Sequence, residues 1–402
     1  MSGFIVEAMA FLLRWLHVVA AIAWIGESFY FVMLDRSLKP GKNPQPGVRG
    51  ELWSVHGGGF YHKQKYEVAP AQMPDDLHWS KWKSYTTWLS GFALFAVIYL
   101  HSPQVYLIDP SVHAMDPATA IGWALLFPLA AWLIYDLLCR AVGLRDQVLG
   151  ILVTVLVVAL AWTATHLFAG RAAFLIVGAS LATIMSANVF FNIIPGQKRT
   201  VAALARGEQP DPLPGLQGKQ RSVHNTYFTL PVVFAMISIH YGSAHAHPQN
   251  WLLLLAFMGA GALIRQFFVL WHSGGRAWWL LVAGGAVLLG AFTAMAPSPR
   301  APLPDQTGAV ANAAAEPALA ASTANALAII SKHCSACHAQ RPTLLPSAPL
   351  GLILDRPEQI EVQRMKIYQQ VAVLKIMPPG NMTQMTLVER DLLARWALDP
   401  EE

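Results

Sequence analysis

The chain has 402 residues, 54% of them hydrophobic and only 13% charged, with a net charge of +5; an average soluble domain carries roughly 25% charged residues. With 14 Trp and 18 Phe as well, this excludes a disordered chain, a nucleic-acid-binding module and most soluble enzymes. Three cysteines cannot build a disulfide framework, and two of them stand three residues apart before a histidine.

Apolar runs long enough to cross a bilayer, about 20 residues each, fall at 9–34, 85–102, 118–142, 147–168, 171–194, 223–243, 250–272 and 277–297. The predicted fold is therefore all-α, an eight-helix transmembrane bundle over 1–297 followed by a small soluble domain. The second run is the shortest. The first lacks the basic n-region and small-residue cleavage site of a signal peptide, so it reads as a helix. A long loop comes after it, carrying Glu51, His56-Gly-Gly-Gly-Phe60, His62, Lys65, Tyr66, His78, Trp79 and Trp82. Glycines after a histidine let backbone approach a ligand closely, but the segment follows no predicted strand and no G-x-S-x-G elbow is present, so an esterase reading is weak. The histidine spacing matches no zinc pattern, and a plain surface loop is the alternative. After Met295 the stretch 298–325 is rich in Pro and Ala without an aromatic residue, a tether. Residues 326–402 form the soluble domain, where Thr386-Leu-Val-Glu389 is a capping box opening a helix.

Orientation comes from the basic residues between the runs. The odd-numbered loops hold Arg36, Lys39, Lys42, Arg49, Lys63, Lys65, Lys81, Lys83, Arg140, Arg145, Lys198, Arg199, Arg206, Lys219, Arg221 and Arg276; the even-numbered loops hold only Arg171. The odd loops are predicted cytoplasmic. The N-terminus and the soluble tail are then periplasmic, in the inner membrane of a Gram-negative cell.

Within the tail, Cys334-Ser-Ala-Cys337-His338 is C-x-x-C-H, the attachment signature of a c-type haem. Two thiols at this spacing form thioethers to two vinyl groups, and the next residue brings an imidazole to the iron. A chance pair, a zinc half-site or a thioredoxin-like couple are the alternatives, but there is no second cysteine pair and no βαβ pattern. Met377, in Met-Pro-Pro-Gly-Asn, is the candidate sixth ligand, with Met382 and Met385 as rivals; Met/His ligation raises the potential and suits an electron acceptor. Haem c is attached outside the bacterial cytoplasmic membrane, and the charge count independently puts the tail there.

Ionisable groups inside membrane runs are costly and functional by default. Toward the outer side lie Arg14, His17, His101, His166 and His240; toward the inner side lie Glu27, Asp136, Asn188, Asn192, His224, Asn225, Arg265 and His272. The inner set offers donors, acceptors and both charges to a small planar polar substrate. Any single member is equally readable as a hydrogen-bonded packing residue. Electrons leaving that face cross most of a core roughly 30 Å thick to reach the tail, which favours a haem b held by His17 with His166 or His240 and by Arg14 at a propionate. Arg14-Trp-Leu-His17 and the residues after it resemble the first helix of bacterial membrane haem proteins and of the copper-resistance D family, some of which hold such a haem.

The whole chain resembles the membrane-integral, cytochrome c-fused urate oxidase (urate hydroxylase) family of bacteria. The likeness rests on RWLHVVAAIAWIGESFYFVMLD, GELWSVHGGGFYHKQKY, LHWSKWKSYTTWLSG and HNTYFTLPVVF in the membrane half, and on CSACH with MPPGN in the tail. It implies oxidation of urate to 5-hydroxyisourate, with electrons leaving through the fused haem to a periplasmic cytochrome c or terminal oxidase and not directly to oxygen. On that implication Arg265 neutralises the anion, Asn188, Asn192 and Asn225 read its amide edges, and Glu27, His56 or His224 takes the proton. The competing expectation is a quinol–cytochrome c electron conduit without a urate site. Oligomeric state is not legible in the sequence.

Overall fold

In a computed structural model, residues 2–42, 45–70, 72–296, 322–345 and 347–398 are described. The chain is mostly helical, with one two-stranded sheet. The first helix, α1 (Ser2–Ser37), is apolar along nearly its whole length. The expected loop after it is instead a hairpin of β1 (Val48–His56) and β2 (Gly59–Tyr66), which amends the all-α expectation. His56 pairs with Gly59 across a two-residue turn whose Gly57 and Gly58 have φ of 58° and 81°. Such a turn demands positive φ at both positions. The glycines after His56 thus serve the turn, and HGGGF does follow a strand. Glu51 ties the hairpin down, bonding His62 at 2.8 Å, and Lys65 reaches Asp35 of α1 at 2.7 Å.

Helix α2 (Trp82–Phe95) continues through a π-helical turn, Ala96–Leu100, into the short α3 (Pro103–Tyr106). Asp116 caps α4 (Pro117–Val142), accepting from the Ala118 and Thr119 amides at 3.0 and 3.1 Å. Then come α5 (Asp146–Leu167) and α6 (Gly170–Ala187); α6 runs on through a second π-helical turn, Asn188–Ile193, into α7 (Ile194–Ala205). The remaining helices of this half are α8 (Leu213–Ser238), the single turn α9 (Gly242–His245), α10 (Asn250–Trp271) and α11 (Trp279–Met295).

Each of the eight expected runs coincides with a helix. Among the described residues five helices are long and apolar enough to cross a membrane: α1, α4, α5, α6 with its continuation, and α10. Helix α2 is short before its π turn, α11 is apolar but of 17 residues, and the first half of α8 carries Lys219, Arg221, His224 and Asn225. Large apolar side chains face outward on α1 (Trp15, Ile22), α4 (Leu133, Leu137), α5 (Ile151, Val155) and α11 (Val282, Leu289), an outer surface compatible with lipid.

Helix α6 is the centre of the bundle, packed by α4, α5 and α8 and buried from Ala172 to Val189 on its inward positions. Small residues set its distance from α8: a Cβ on Gly178 would lie 2.6 Å from the Ala235 Cβ. This close approach lets short polar side chains on the two helices meet directly.

The tether over 298–325 lies outside the described residues up to 321, and its last residues already belong to α12 (Thr323–His338). The tail adds α13 (Pro357–Val362), α14 (Arg364–Ile367), which continues into a π-helical turn at Tyr368–Val373, and α15 (Leu387–Leu398). Ile330, Leu392, Leu393 and Trp396 form its core. The capping box at α15 forms as expected, the Thr386 amide donating to Glu389 at 2.7 Å and the Glu389 amide to Thr386 Oγ1 at 3.2 Å.

The tail rests on the bundle at α3 and α9. A Cβ on Gly242 would lie 2.7 Å from Ile376 Cδ1, and one on Gly380 would lie 2.7 Å from the Ile108 carbonyl oxygen and 3.1 Å from Asp109 Cα.

Candidate functional site

The inner polar residues do not form one cluster. They divide between the two sides of α8. On the side facing α4 and α6 they form a closed network. Asp136 accepts from Arg221 Nη2 at 2.8 Å and from Arg140 Nε at 2.6 Å. Arg221 Nη1 donates to Asn188 Oδ1 at 3.1 Å, and Asn188 Nδ2 donates to Asn225 Oδ1 at 2.9 Å and to the Tyr135 hydroxyl at 3.1 Å. Asn225 Nδ2 donates to the Met185 carbonyl at 3.0 Å. The Tyr135 hydroxyl, its lone pair taken by Asn188, donates to His224 Nδ1 at 2.7 Å, so the neutral His224 keeps its own proton on Nε2. Arg221 lies over the Tyr135 ring at 5.1 Å. Asp136, Arg221, Asn188 and Asn225 are buried and bonded to one another, with the exposed Arg140 as a second counter-charge to Asp136, which holds α4, α6 and α8 in register.

On the other side of α8, facing α1 and α10, stands Arg265. It is 3% exposed, with its guanidinium 4.2 Å above the Phe29 ring, and its Nε and Nη2 have no hydrogen-bond partner. Beside it Tyr227 donates to Gln266. A buried cation facing an aromatic ring gains some attraction, but far less than an anion in hydrogen-bond contact supplies. Asn192, in the π-helical turn after α6, also has a buried Nδ2 without a partner.

The other candidate bases are engaged or exposed. Glu27 accepts from Lys83 Nζ at 2.7 Å and from Ser80, tying α1 to the start of α2. His56 is exposed at the hairpin tip. The outer histidines stand separately: His17 Nδ1 donates to the Thr87 carbonyl at 3.0 Å, lying against Gly91; His166 donates to the Trp162 carbonyl at 2.7 Å and stacks on that ring; His240 is exposed. No bond or ring contact joins any two of the three among the described residues.

Sequence reasoning missed Arg221 and Tyr135. Arg221 counts as a loop cation by its position, yet it lies inside α8 with Asn225 one turn on and Phe228 two turns on. That helical spacing from Arg221 through His224 to Phe228 is the signal that marks an inward face.

In the tail, Cys334, Cys337 and His338 occupy the last turn of α12. His338 Nδ1 donates to the Leu352 carbonyl at 3.1 Å, which fixes the ring and turns Nε2 outward as a ligand. Burial pulls the His338 imidazole below its usual value, against the opposing bond to Leu352. Burial, and then the neighbouring Cys337, pushes the Cys334 thiol up to about 12. Met377 is partly buried against the same core as Cys334; its carbonyl accepts from Arg390 Nη1 at 2.7 Å, which anchors the loop. The rival Met385 is 3% exposed within the core itself. Two free thiols, an imidazole with Nε2 available and a thioether in an anchored loop fit a covalently attached haem with His/Met ligation.

Two observations bear on ancestry. Residues 3–296 match the family described as Urate oxidase N-terminal. No curated protein and no solved structure matches the chain. The family match covers both polar clusters and every helix from α1 to α11, and the chain belongs to the urate oxidase N-terminal family.

Proposed function

We propose that the chain is a membrane-bound oxidoreductase that converts urate to 5-hydroxyisourate within an eight-span bundle and passes the electrons to a haem c in its periplasmic tail. The observation that carries this reading is Arg265. A guanidinium 3% exposed, without a carboxylate partner and with Nε and Nη2 both free, asks for an anion. Urate is a planar monoanion near neutral pH with adjacent oxygen and nitrogen acceptors along its edge. The Nε–Nη2 side of arginine is a two-donor fork that matches such an edge. Phe29 covers one face of the guanidinium. Family membership supports the same substrate.

The reaction balances as urate monoanion plus water giving neutral 5-hydroxyisourate, one proton and two electrons. The released proton passes to water on the inner side: His224 stands across α8 from Arg265, its Nδ1 lone pair taken by the Tyr135 hydroxyl and its proton on Nε2, so it holds Tyr135 in place and is no base for an anion at Arg265. Asn188 and Asn225 hold Tyr135 and α8 in place and do not offer free edges to a ligand. A haem on Cys334, Cys337, His338 and Met377 supplies one-electron acceptance when bound, and a periplasmic cytochrome c or terminal oxidase drains it. The chain's own separate histidines make a haem b at His17, His166 or His240 unnecessary to the reading, and no step is routed through one.

Orientation is supported by where the tail rests. Helices α3 and α9 lie at the end of the bundle whose loops carry a single basic residue, Arg171, which supports an outer location for the tail under the positive-inside rule. The test is anaerobic: add urate to the purified full chain and follow the haem absorption. Reduction by urate in the wild type, lost in Arg265→Gln, is the expected result. No reduction at any pH, alongside reduction by a quinol, would overturn the reading in favour of a quinol conduit.

A further inference from the structure

The inner cluster and the tail lie at opposite ends of the bundle. Between Asn250, beside α9, and Arg265, α10 runs about 22 Å. Electrons leaving Arg265 for the tail therefore need a medium across that length. Helix α2, packed against α1 and α6, carries aromatic rings toward the tail end in two stacked pairs. Trp88 and Phe92 stack at 5.4 Å between centroids with planes 9° apart; Phe95 and Tyr99 stack at 5.4 Å and 22°; Tyr99 meets Tyr106 of α3 at 5.2 Å. These α2 positions recur at helical spacing on one face, and the π-helical turn Ala96–Leu100 carries Tyr99 to α3. Tyr99 is 3% exposed, its hydroxyl has no partner, and the Arg171 guanidinium caps the Tyr106 ring at 5.6 Å.

The tail sits directly on the end of this row. Gly242 leaves room for Leu374 and Ile376, and Gly380 backs onto Ile108 and Asp109, two and three residues after Tyr106. Gly380 has φ of 54° and is packed against backbone, so the contact admits no larger side chain there.

We infer that the seated tail is the electron-receiving pose, and that the α2 aromatic rings ending in Tyr99 and Tyr106 are the medium that delivers electrons to the tail where Gly380 meets the segment after α3. The inference rests on the urate reading for the source of electrons. No ring is itself oxidised. A haem held by Cys334, Cys337, His338 and Met377 would accept one electron at a time, so each two-electron oxidation of urate would need two such acceptances, with a one-electron acceptor draining the tail between them.

The test uses the full chain with paired cysteines, Gly242→Cys with Ile376→Cys, which removes the side chain that the new Cβ would meet, and Gly242→Cys with Val362→Cys as the control, Val362 being exposed on the tail. Oxidation is expected to cross-link the first pair and not the second; failure of the first pair to cross-link overturns the seated pose. The locked protein is then mixed anaerobically with urate. Haem reduction at the unlocked rate or faster is expected, whereas a locked protein that urate no longer reduces overturns the inference. In both forms Tyr106→Leu is expected to slow urate-driven reduction by roughly tenfold or more and Tyr106→Phe, which keeps the ring, to restore it, while reduction by dithionite is equal in all. A Tyr106→Leu protein reduced by urate at the wild-type rate overturns the route. Should urate reduce no form at all, the functional reading falls, and the seated pose is judged by the cross-link alone.

Discussion

Replacing Arg265 by Met separates its two roles, because a residue that waits for an anion and one that braces a fold respond in opposite directions. The guanidinium is 3% exposed with Nε and Nη2 unpartnered. Met has similar length and packs on Phe29 without a charge. Exchanging an uncompensated buried cation for an apolar side chain of like volume is neutral or stabilising, by about 1–4 kcal/mol in comparable cases. The ligand-free unfolding temperature of Arg265→Met is thus expected to equal or exceed that of the wild type. Urate binding moves the other way. A charge-assisted hydrogen bond contributes about 1.5–3 kcal/mol, so losing the two-donor fork removes on the order of 3 kcal/mol, a factor of about 150 in affinity. Thermal unfolding in detergent or nanodiscs with and without urate reads both quantities at once. Wild type gains stability with urate and the variant does not. A variant that unfolds several degrees lower without ligand, or that urate still stabilises as it does the wild type, would refute the assignment.

Arg221→Met is the contrasting case: it leaves Asp136 with only the exposed Arg140 as counter-charge, and is expected to destabilise the ligand-free bundle by about 3 kcal/mol, seen as a lower unfolding temperature without added urate. Cys334→Ala with Cys337→Ala is expected to leave any bound haem extractable by acid acetone, whereas the wild-type pigment stays on the polypeptide through denaturing electrophoresis. In the tail, burial would raise the Glu389 carboxyl, but Lys332, Thr386 and His333 outweigh it and hold it at about 2, below its ordinary 4.5. A depressed carboxyl stabilises the fold above its unfolded value and loses that contribution as pH falls through the folded one; after solvent screening the effect is about 1–2 kcal/mol. Glu389→Gln is therefore expected to speed hydrogen exchange in α12 and α15 at pH 7 and to change little near pH 2.

What the sequence reveals depends on whether a feature repeats along one element. The eight apolar runs and the Thr386–Glu389 box are local, and each lies on the expected helix; the Cys334–His338 signature, equally local, closes α12. Arg265 is legible because an arginine inside an apolar run has no local explanation. The hairpin hides behind its charged residues and the adjacent Leu52 and Trp53, which break any two-residue alternation in Val48–His56, although the paired glycines are a turn signal. The two π-helical turns of the bundle are beyond reach of a 3.6-residue period: each advances the helix by an extra residue and rotates the face that the next turn presents. Asn188 meets Arg221 and Tyr135, and Tyr99 meets Tyr106, at such turns. The division of the inner polar residues by α8 is a matter of which face each occupies, whereas depth alone lumps them together. The seat of the tail joins Gly242, Ile108 and Gly380, segments that no periodicity links.

The separation of the two ends has an energetic consequence. On the proposed reading, a urate oxidised beside Arg265, near the C-terminal end of α10, surrenders electrons on the inner side, and the tail receives them at α3 and α9 on the outer side. The proton is released to water on the inner side. Each turnover then moves negative charge outward through much of the bilayer. A cell interior at negative potential pushes electrons in that direction, by up to about 2.3 kcal/mol per charge for each 100 mV if the whole membrane is crossed. The length from Asn250 to Arg265, about 22 Å of helix, is most of a core roughly 30 Å thick, so the larger part of that field acts on the transfer. In vesicles with the tail outward and urate inside, an interior-negative potassium diffusion potential is expected to accelerate haem reduction and an interior-positive one to slow it. Equal rates under both polarities would mean that the electrons do not cross the field, and that urate meets the protein at the same end as the tail.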